Sequence, residues 1–134
     1  MRSTSADVQF YPLAEGVRLP FSEAVRVGNL LFLSGQMGID ATLKIVPGGI
    51  AAETRKTLQN IQAVLERHGS SLKQVIKCTV MIADMAEWPA MNDVYLEFFT
   101  APLPARSAFG ANGLALGGRL EIECIAVVSD GAGA

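Results

Sequence analysis

The longest regular pattern in the chain lies in the segment IAAETRKTLQNIQAVLERHG, where side chains suited to burial recur at spacings of three and four. These positions are Ile50, Thr54, Leu58, Ile61 and Leu65. The spacing predicts an amphipathic helix of about five turns, because such positions share one face of a 3.6-residue repeat. Gly69 is placed to end this helix. Its apolar stripe has to pack against other elements, and most of the remaining chain consists of short β-favouring runs.

The segment QVIKCTVMIAD, which follows this helix, predicts a central strand because it is rich in β-branched residues. Lys77 and Thr79 lie on one face of the predicted strand. The alternate positions make the other face wholly apolar, and they are Ile76, Cys78, Val80 and Ile82.

Shorter β-favouring runs account for the other predicted strands. Two of them, at 24–27 and 30–34, flank a Gly-Asn pair that is typical of a hairpin turn. A further strand is predicted at 8–11. Two more, at 105–111 and 119–129, flank a glycine-rich loop and are predicted to pair as a hairpin.

A second helix is predicted after residue 84. Asp84 and Glu87 resemble a capping box, and Pro89 is compatible only with the first turn of a helix. Its apolar face is predicted to contain Trp88, Met91, Val94, Tyr95, Phe98 and Phe99.

The order of elements, β-β-α-β-α-β-β with one extra strand at the start, predicts an α+β fold. We expect one domain spanning 1–134, in which a mixed or antiparallel sheet carries both helices on one face, with frayed ends at 1–6 and 130–134. The other face of the sheet then needs cover from a second subunit. Half of the 134 residues are apolar and 18% are charged, a composition that favours such an oligomer.

Composition also excludes several classes of function. The net charge of −2 provides no basic patch for a nucleic acid, and no apolar run is long enough to cross a membrane. Without a secretory signal, and with Cys78 and Cys124 inside apolar runs, the chain is expected to be cytoplasmic with reduced thiols. His68 is the only histidine, so no metal site is expected, and its place at a helix end indicates a structural role. Phosphate-binding loops and the G-x-S-x-G elbow of serine hydrolases are absent from the sequence.

The remaining chemistry lies on the last two predicted strands. In RLEIECIAVV, Glu121 and Glu123 share one face of a strand, and Arg106 opens the partner strand. A hairpin could bring Arg106 and Glu121 to a common cleft, where arginine holds a small acid and glutamate deprotonates a water. Two other interpretations stay open: a snorkelling arginine at a sheet edge, and glutamates that are solvated or ion-paired at a subunit contact.

The sequence PARSAF, followed by Glu121 in LEIECIAV, resembles the RidA/YjgF/UK114 family of reactive-intermediate deaminases, also called the L-PSP endoribonuclease family. The segments FSEAVRVGNLLFLSGQMGID, TLQNIQAVLERHGSSLKQVIKCTVMIADM and MNDVYLEFF resemble further blocks of the family in the same order. The resemblance implies a chorismate-mutase-like fold and a homotrimer with a cleft at each subunit interface. It also implies hydrolysis of 2-imino acids, such as 2-iminobutanoate and 2-iminopropanoate, to 2-keto acids and ammonia, without a cofactor or metal.

The resemblance also implies roles for individual residues. Arg106 would clamp the substrate carboxylate, and Glu121 would position or activate the attacking water. Ser34, Gly35 and Asn92 match positions that line the cleft and contact the substrate. The alternatives for these three are a hydrogen bond at a strand end, a turn requirement, and a helix residue that faces a neighbour.

The chain departs from the usual family pattern at two positions. Phe21 stands where many members have tyrosine, so the ring could still wall the substrate pocket but the hydroxyl is missing. Ala108 replaces a cysteine found in several members. Phe21 and the loop NGLALGGRLEIE, which resembles a subset of the family, keep a second hypothesis open, a regulatory trimer that binds small carboxylates without turnover. RNA cleavage or inhibition of translation is a third hypothesis, which the acidic balance disfavours.

Overall fold

The computed structural model describes residues 7–129 and confirms the α+β fold. The ends predicted to fray, 1–6 and 130–134, lie outside the described residues. The strands are β1 (Val8–Tyr11), β2 (Ala24–Val27), β3 (Leu30–Leu33), β4 (Val75–Ile82), β5 (Ala105–Gly110) and β6 (Leu120–Val127). The helices are α1 (Gly49–Arg67) and α2 (Trp88–Phe98).

All six strands form one mixed sheet in the order β1-β2-β3-β6-β4-β5. Only β4 and β5 run parallel, and the other neighbours are antiparallel. The prediction that the last two strands pair as a hairpin is wrong, because β4 lies between β5 and β6. The segment between β4 and β5 contains α2, which is the crossover that a parallel pair requires. β5 consequently forms one edge of the sheet.

Both helices pack on the same face of the sheet, as predicted. The buried face of α1 contains Leu58, Ile61 and Leu65, and that of α2 contains Met91 and Tyr95. The sheet contributes the alternate positions of its two central strands to the same core: Cys78, Val80, Ile82, Leu120, Ile122, Cys124 and Ala126. The helical periodicity of α1 and the period-two pattern of β6 therefore both identify the core correctly.

Two local predictions about β4 and α2 are corrected. Ile76 was expected on the buried face, but a β-bulge between Val75 and Lys77 turns it outward, and Ile76 is 45% exposed. Asp84 does not form the predicted capping box with Glu87. Its carboxylate instead accepts a hydrogen bond from the backbone N–H of Ala86 (2.9 Å) at a short 3₁₀ turn, and α2 begins after that turn with proline in its first turn.

The second face of the sheet is uncovered in the single chain. Exposed apolar side chains lie across it from one edge strand to the other: Phe10 is 68% exposed, Phe32 39% and Phe109 49%. Their strand registers place all three on the face opposite the helices. A face of this character is typical of an interface with another chain.

Candidate active site

Arg106 lies on the edge strand β5, on the side of the sheet that the helices cover. Its side chain is partly buried and is held by three residues of α2. Nη1 donates a hydrogen bond to Oδ1 of Asn92 (2.8 Å). The guanidinium carbon lies 4.7 Å from the ring centroid of Tyr95 and 5.5 Å from that of Trp88. Within the described residues Arg106 forms no ion pair, so its charge is available to an external anion.

Glu121 lies on the uncovered face of the sheet, on β6, and the backbone of Gly35 runs beside it. Gln36 and Ile122 are joined by two backbone hydrogen bonds (2.8 and 3.0 Å), which hold this segment next to β6. A Cβ added at Gly35 would overlap the Glu121 carboxylate. Only glycine leaves room for that carboxylate in its observed position, so Gly35 and Glu121 belong to one local arrangement.

Ser34 precedes Gly35 in the chain, and its hydrogen bonds reach the segment that follows Phe21. The Ser34 hydroxyl donates to the carbonyl of Ser22 (2.6 Å), and the Ser34 N–H donates to the carbonyl of Glu23 (3.1 Å). The hydroxyl is thus engaged with the backbone, as the alternative interpretation of Ser34 expected. These bonds hold the segment that carries Phe21, whose side chain is 49% exposed.

The predicted site residues form two groups, not one. Arg106 is in register with Cys78 and Cys124, whose side chains are buried beneath the helices. Glu121 is in register with Met81 on the other face. Because side chains alternate along a strand, Arg106 and Glu121 lie on opposite faces of the sheet. The expectation that a hairpin brings them to a common cleft within one chain is therefore wrong.

The electrostatics of Glu121 suit an acid–base role. Its pKa lies above the ordinary value of 4.5, chiefly because of burial and in addition because the negative charge of Glu123 is nearby. No cation within the described residues forms a salt bridge with either carboxylate. A carboxylate in this setting binds a proton more readily than an exposed glutamate does, so it is equipped to accept one from water.

An ion-pair cluster around the buried carboxylate of Glu53, at the start of β6, was not found from the sequence. Glu53, on α1, is 4% exposed, and its carboxylate accepts a hydrogen bond from the backbone N–H of Arg119 (2.8 Å). The Arg119 side chain donates to Glu87 (2.9 Å). The cluster fixes the chain two residues before Glu121. The pattern in IAAETRKTLQNIQAVLERHG predicted the apolar stripe of α1 but not the burial of Glu53, which lies beside that stripe.

The contacts of Arg106 with Trp88 and Tyr95 were also missed. Both rings were predicted to belong to the core because of their helical spacing. The available signal was that positions 88, 92 and 95 share one face of α2, so an amide lies between two aromatic rings there. A polar residue in the middle of an apolar helical face predicts a polar partner on the facing strand.

His68 and the two cysteines have structural contacts. His68 pairs with Glu23 (2.7 Å) and stacks on Tyr11 with a ring separation of 4.1 Å. Cys78 and Cys124 are buried free thiols with their sulfur atoms 3.4 Å apart. Residues 7–129 contain no group of three or more His, Cys, Asp or Glu side chains placed to hold a metal ion. Over the same residues, none of the helices has the length and apolar character needed to span a bilayer.

Comparison with known sequences identifies the family. Residues 14–128 match the family described as Endoribonuclease L-PSP. The chain belongs to this family. It is the RidA/YjgF/UK114 family, which the sequence resemblance had indicated.

Individual members of the family are similar over most of the chain. A goat (Capra hircus) protein named 2-iminobutanoate/2-iminopropanoate deaminase is 43% identical, and the match covers 81% of this chain and 80% of the goat protein. A protein of the same name from the mite Dermatophagoides farinae is 42% identical, with coverage of 87% and 92%. The crystal structure of RidA from the Antarctic bacterium Psychrobacter has a TM-score of 0.79 at 33% identity, and the superposition covers 94% of this chain and 100% of that one.

Proposed function

We propose that this RidA-family chain is a hydrolase that converts 2-imino acids, or the enamines from which they arise, to 2-keto acids and ammonia. The observation that carries the proposal is the Arg106 guanidinium, which is aligned by α2 and has no carboxylate partner among the described residues. The names of the goat and mite relatives support the same reaction.

Substrate binding is assigned to Arg106. A guanidinium has five N–H donors in a planar fork, and the structure engages Nη1 with Asn92. The remaining donors suit the bidentate geometry of a carboxylate. Because the carboxylate of a 2-imino acid is attached directly to the C=N carbon, holding that carboxylate also fixes the position of the reacting carbon.

Glu121 is proposed to activate the water. Its carboxylate accepts a proton from the water while the water oxygen bonds to the imine carbon and the π electrons of the C=N bond move to nitrogen. Glu121 then returns that proton to the nitrogen. The resulting carbinolamine then forms its C=O bond as the C–N bond breaks, and ammonia leaves with a proton relayed through Glu121. Imine and water are consumed, and keto acid and ammonia are produced. The raised pKa of Glu121, caused first by burial and then by Glu123, suits a group that takes up and returns a proton.

The active assembly is proposed to be a homotrimer with its sites between subunits. Arg106 and Glu121 are on opposite faces of one sheet, so a site that uses both draws them from different chains. Arg106 is on an edge strand, from which it can reach a neighbour. The exposed apolar face that contains Phe32 and Glu121 supports burial of this face against another copy.

The other predicted residues are proposed to line the same intersubunit cleft. Asn92 accompanies Arg106 from one chain, and Ser34, Gly35 and Phe21 accompany Glu121 from its neighbour. Phe21 would contribute an apolar wall in place of a phenol. No cofactor enters the proposed reaction, and the buried reduced thiols support a cytoplasmic location.

An intersubunit complementation assay tests the reaction and the assembly together. 2-Iminobutanoate is generated by a threonine dehydratase, and its hydrolysis is followed with wild type, Arg106→Ala and Glu121→Ala. Each variant alone is expected to be inactive. Chains of the two variants, unfolded together and refolded at equal ratio, are expected to regain about a quarter of the wild-type activity, because each site needs one intact side from each of two chains.

Two results would contradict these proposals. Wild-type chain that does not exceed the buffer rate with several imino acids would rule out the hydrolase. Active enzyme whose two variants never complement would rule out the intersubunit site.

One observation favours a second function, a regulatory trimer that binds small carboxylates without turnover. Phe21 lacks the hydroxyl that many family members have at this position, and any hydrogen bond from that hydroxyl to substrate or water is lost. Saturable binding of 2-oxobutanoate by a chain that hydrolyses no imine would support this alternative.

A further inference from the structure

The guanidinium of Arg106 is held by aromatic rings and an amide, without an acid. Its carbon atom lies over the rings of Tyr95 and Trp88 at 4.7 and 5.5 Å, and Asn92 accepts one of its N–H groups. These three residues are at positions 88, 92 and 95, on one face of α2. An acidic partner would neutralise the arginine, whereas an aromatic face attracts the cation and leaves its charge uncompensated.

Tyr95 is the more firmly fixed of the two rings. It is 4% exposed and packs against Phe99 with the ring centroids 4.7 Å apart. Its hydroxyl has no hydrogen-bonding partner within the described residues. Burial, together with the nearby Cys78 thiol, raises the pKa of Tyr95, so the side chain stays neutral. The group that Tyr95 presents to Arg106 is therefore its ring.

A cation that lies against a ring and is hydrogen-bonded at one end has little freedom to rotate. The N–H groups of a guanidinium point outward in its own plane, so the ring restricts the plane while Asn92 restricts rotation within it. The N–H groups that remain are then presented in one direction. Such an arrangement lowers the entropy that is lost when a carboxylate binds.

We infer that Tyr95, supported by Trp88, is a positioning residue that orients the Arg106 fork toward the carboxylate of the substrate. This inference rests on the proposed function, since it assigns Arg106 to a carboxylate ligand. It adds two residues of α2 that act through Arg106 and need no contact with the substrate. It also predicts that the ring of Tyr95 matters and its hydroxyl does not.

Binding of 2-oxobutanoate, a product-like carboxylate that cannot be hydrolysed, tests the inference by calorimetry. Tyr95→Phe is expected to bind within about twofold of wild type, because the ring is retained. Tyr95→Leu is expected to weaken binding about three- to thirtyfold. In the imine assay the same variant should raise KM by a similar factor, with a smaller change in kcat.

The matched control is Phe99→Leu. Phe99 is buried, 3% exposed, and packs against Tyr95, but among the aromatic rings of residues 7–129 only those of Trp88 and Tyr95 lie against the Arg106 cation. A general loss of core packing would affect Phe99→Leu and Tyr95→Leu alike. The inference requires Phe99→Leu to lose stability while it keeps its affinity for 2-oxobutanoate within about twofold.

A double-mutant cycle completes the test. In an Arg106→Ala background, Tyr95→Leu should cause no further loss of affinity for 2-oxobutanoate, since the group it positions is gone. Equal damage from Tyr95→Phe and Tyr95→Leu, or additive losses in the cycle, would overturn the inference. If Tyr95→Leu fails to fold, Trp88→Leu at a partly exposed position makes the same comparison with Trp88→Phe as its control.

The outcomes separate this inference from the proposed function. If the chain binds 2-oxobutanoate as predicted for an oriented Arg106 but hydrolyses no imine, the proposed reaction is refuted and the positioning role is supported. If the chain hydrolyses imines and Tyr95→Leu leaves the KM unchanged, the proposed reaction is supported and the positioning role is refuted.

Discussion

Gly35→Ala places a methyl group where the Glu121 carboxyl group lies. The new Cβ would be 2.8 Å from Cδ and 3.1 Å from Cγ of Glu121, and the three nearest atoms all belong to this one side chain. A glutamate side chain can rotate away from such a contact at a cost of about 1 kcal/mol. Gly35 has no positive φ, so alanine fits its backbone conformation. We therefore expect the free energy of unfolding to fall by only about 1 kcal/mol.

The effect of Gly35→Ala on catalysis should be much larger. Displacing a catalytic group by about 1 Å can reduce a rate about a hundredfold. The carboxylate has to move at least this far to accommodate the methyl group, so kcat for imine hydrolysis should fall by about two orders of magnitude. In a Glu121→Gln background, Gly35→Ala should cause little further loss, because the group it displaces no longer acts as a base.

Gly38→Ala is the matched control. Its Cβ would lie 2.6 Å from the backbone oxygen of Glu53 and 2.8 Å from its Cα. The backbone of α1 cannot rotate away, so overpacking should cost about 1–3 kcal/mol of stability. The folded fraction of Gly38→Ala should retain its kcat.

Thermal unfolding and kcat at saturating substrate, measured on both variants, test whether Gly35→Ala acts mainly on catalysis and Gly38→Ala mainly on stability. Gly35→Ala with wild-type kcat would refute the assignment of Glu121, and a loss of stability well above about 1 kcal/mol would refute the expected rotation of its side chain.

Two further predictions concern carboxylates with shifted pKa values. Glu123→Gln removes a charge that, after burial, raises the pKa of Glu121, so the acidic limb of the pH profile of kcat/KM should move to lower pH; an unchanged limb would contradict a base at Glu121. Burial raises the pKa of Glu23, but hydrogen bonds and charges from Arg67 and His68 outweigh it and hold that pKa below 4.5. The ionised Glu23, paired with Arg67 and His68, therefore stabilises the fold at pH values above the pKa that Glu23 has in the unfolded chain. This stabilisation is lost as the pH falls through the lower pKa that Glu23 has in the folded chain. Urea unfolding should show Glu23→Gln less stable than wild type at about pH 6 and closer to it at about pH 3, and a constant difference would refute the linkage.

The elements of the fold were predictable because their signals are local. The spacing of Leu58, Ile61 and Leu65 identified the buried face of α1, and alternation in β6 separated Glu121 from the core. Strand order was not predictable in the same way. Neither β5 nor β6 contains a feature that indicates whether it pairs with the other or with β4, since that choice depends on contacts distant in sequence. The bulge at Ile76 likewise leaves no mark in a run of β-favouring residues.

The candidate site was predicted in parts. Arg106 and Glu121 were found as charged residues that the apolar pattern did not explain, and Ser34, Gly35 and Asn92 came from the family resemblance. The division of these residues between two faces follows from the strand register, which the sequence does not specify. The aromatic contacts of Arg106 were hidden because Trp88 and Tyr95 also satisfy the helical core pattern.

The placement of Arg106 and Glu121 on opposite faces has a consequence for enzyme behaviour at low abundance. In the proposed intersubunit arrangement, an isolated subunit would carry both residues and yet contain no complete centre. Specific activity would then decline on dilution past the point where the assembly dissociates, and a copy that lacks Arg106 alone would impair one of the two sites to which it contributes.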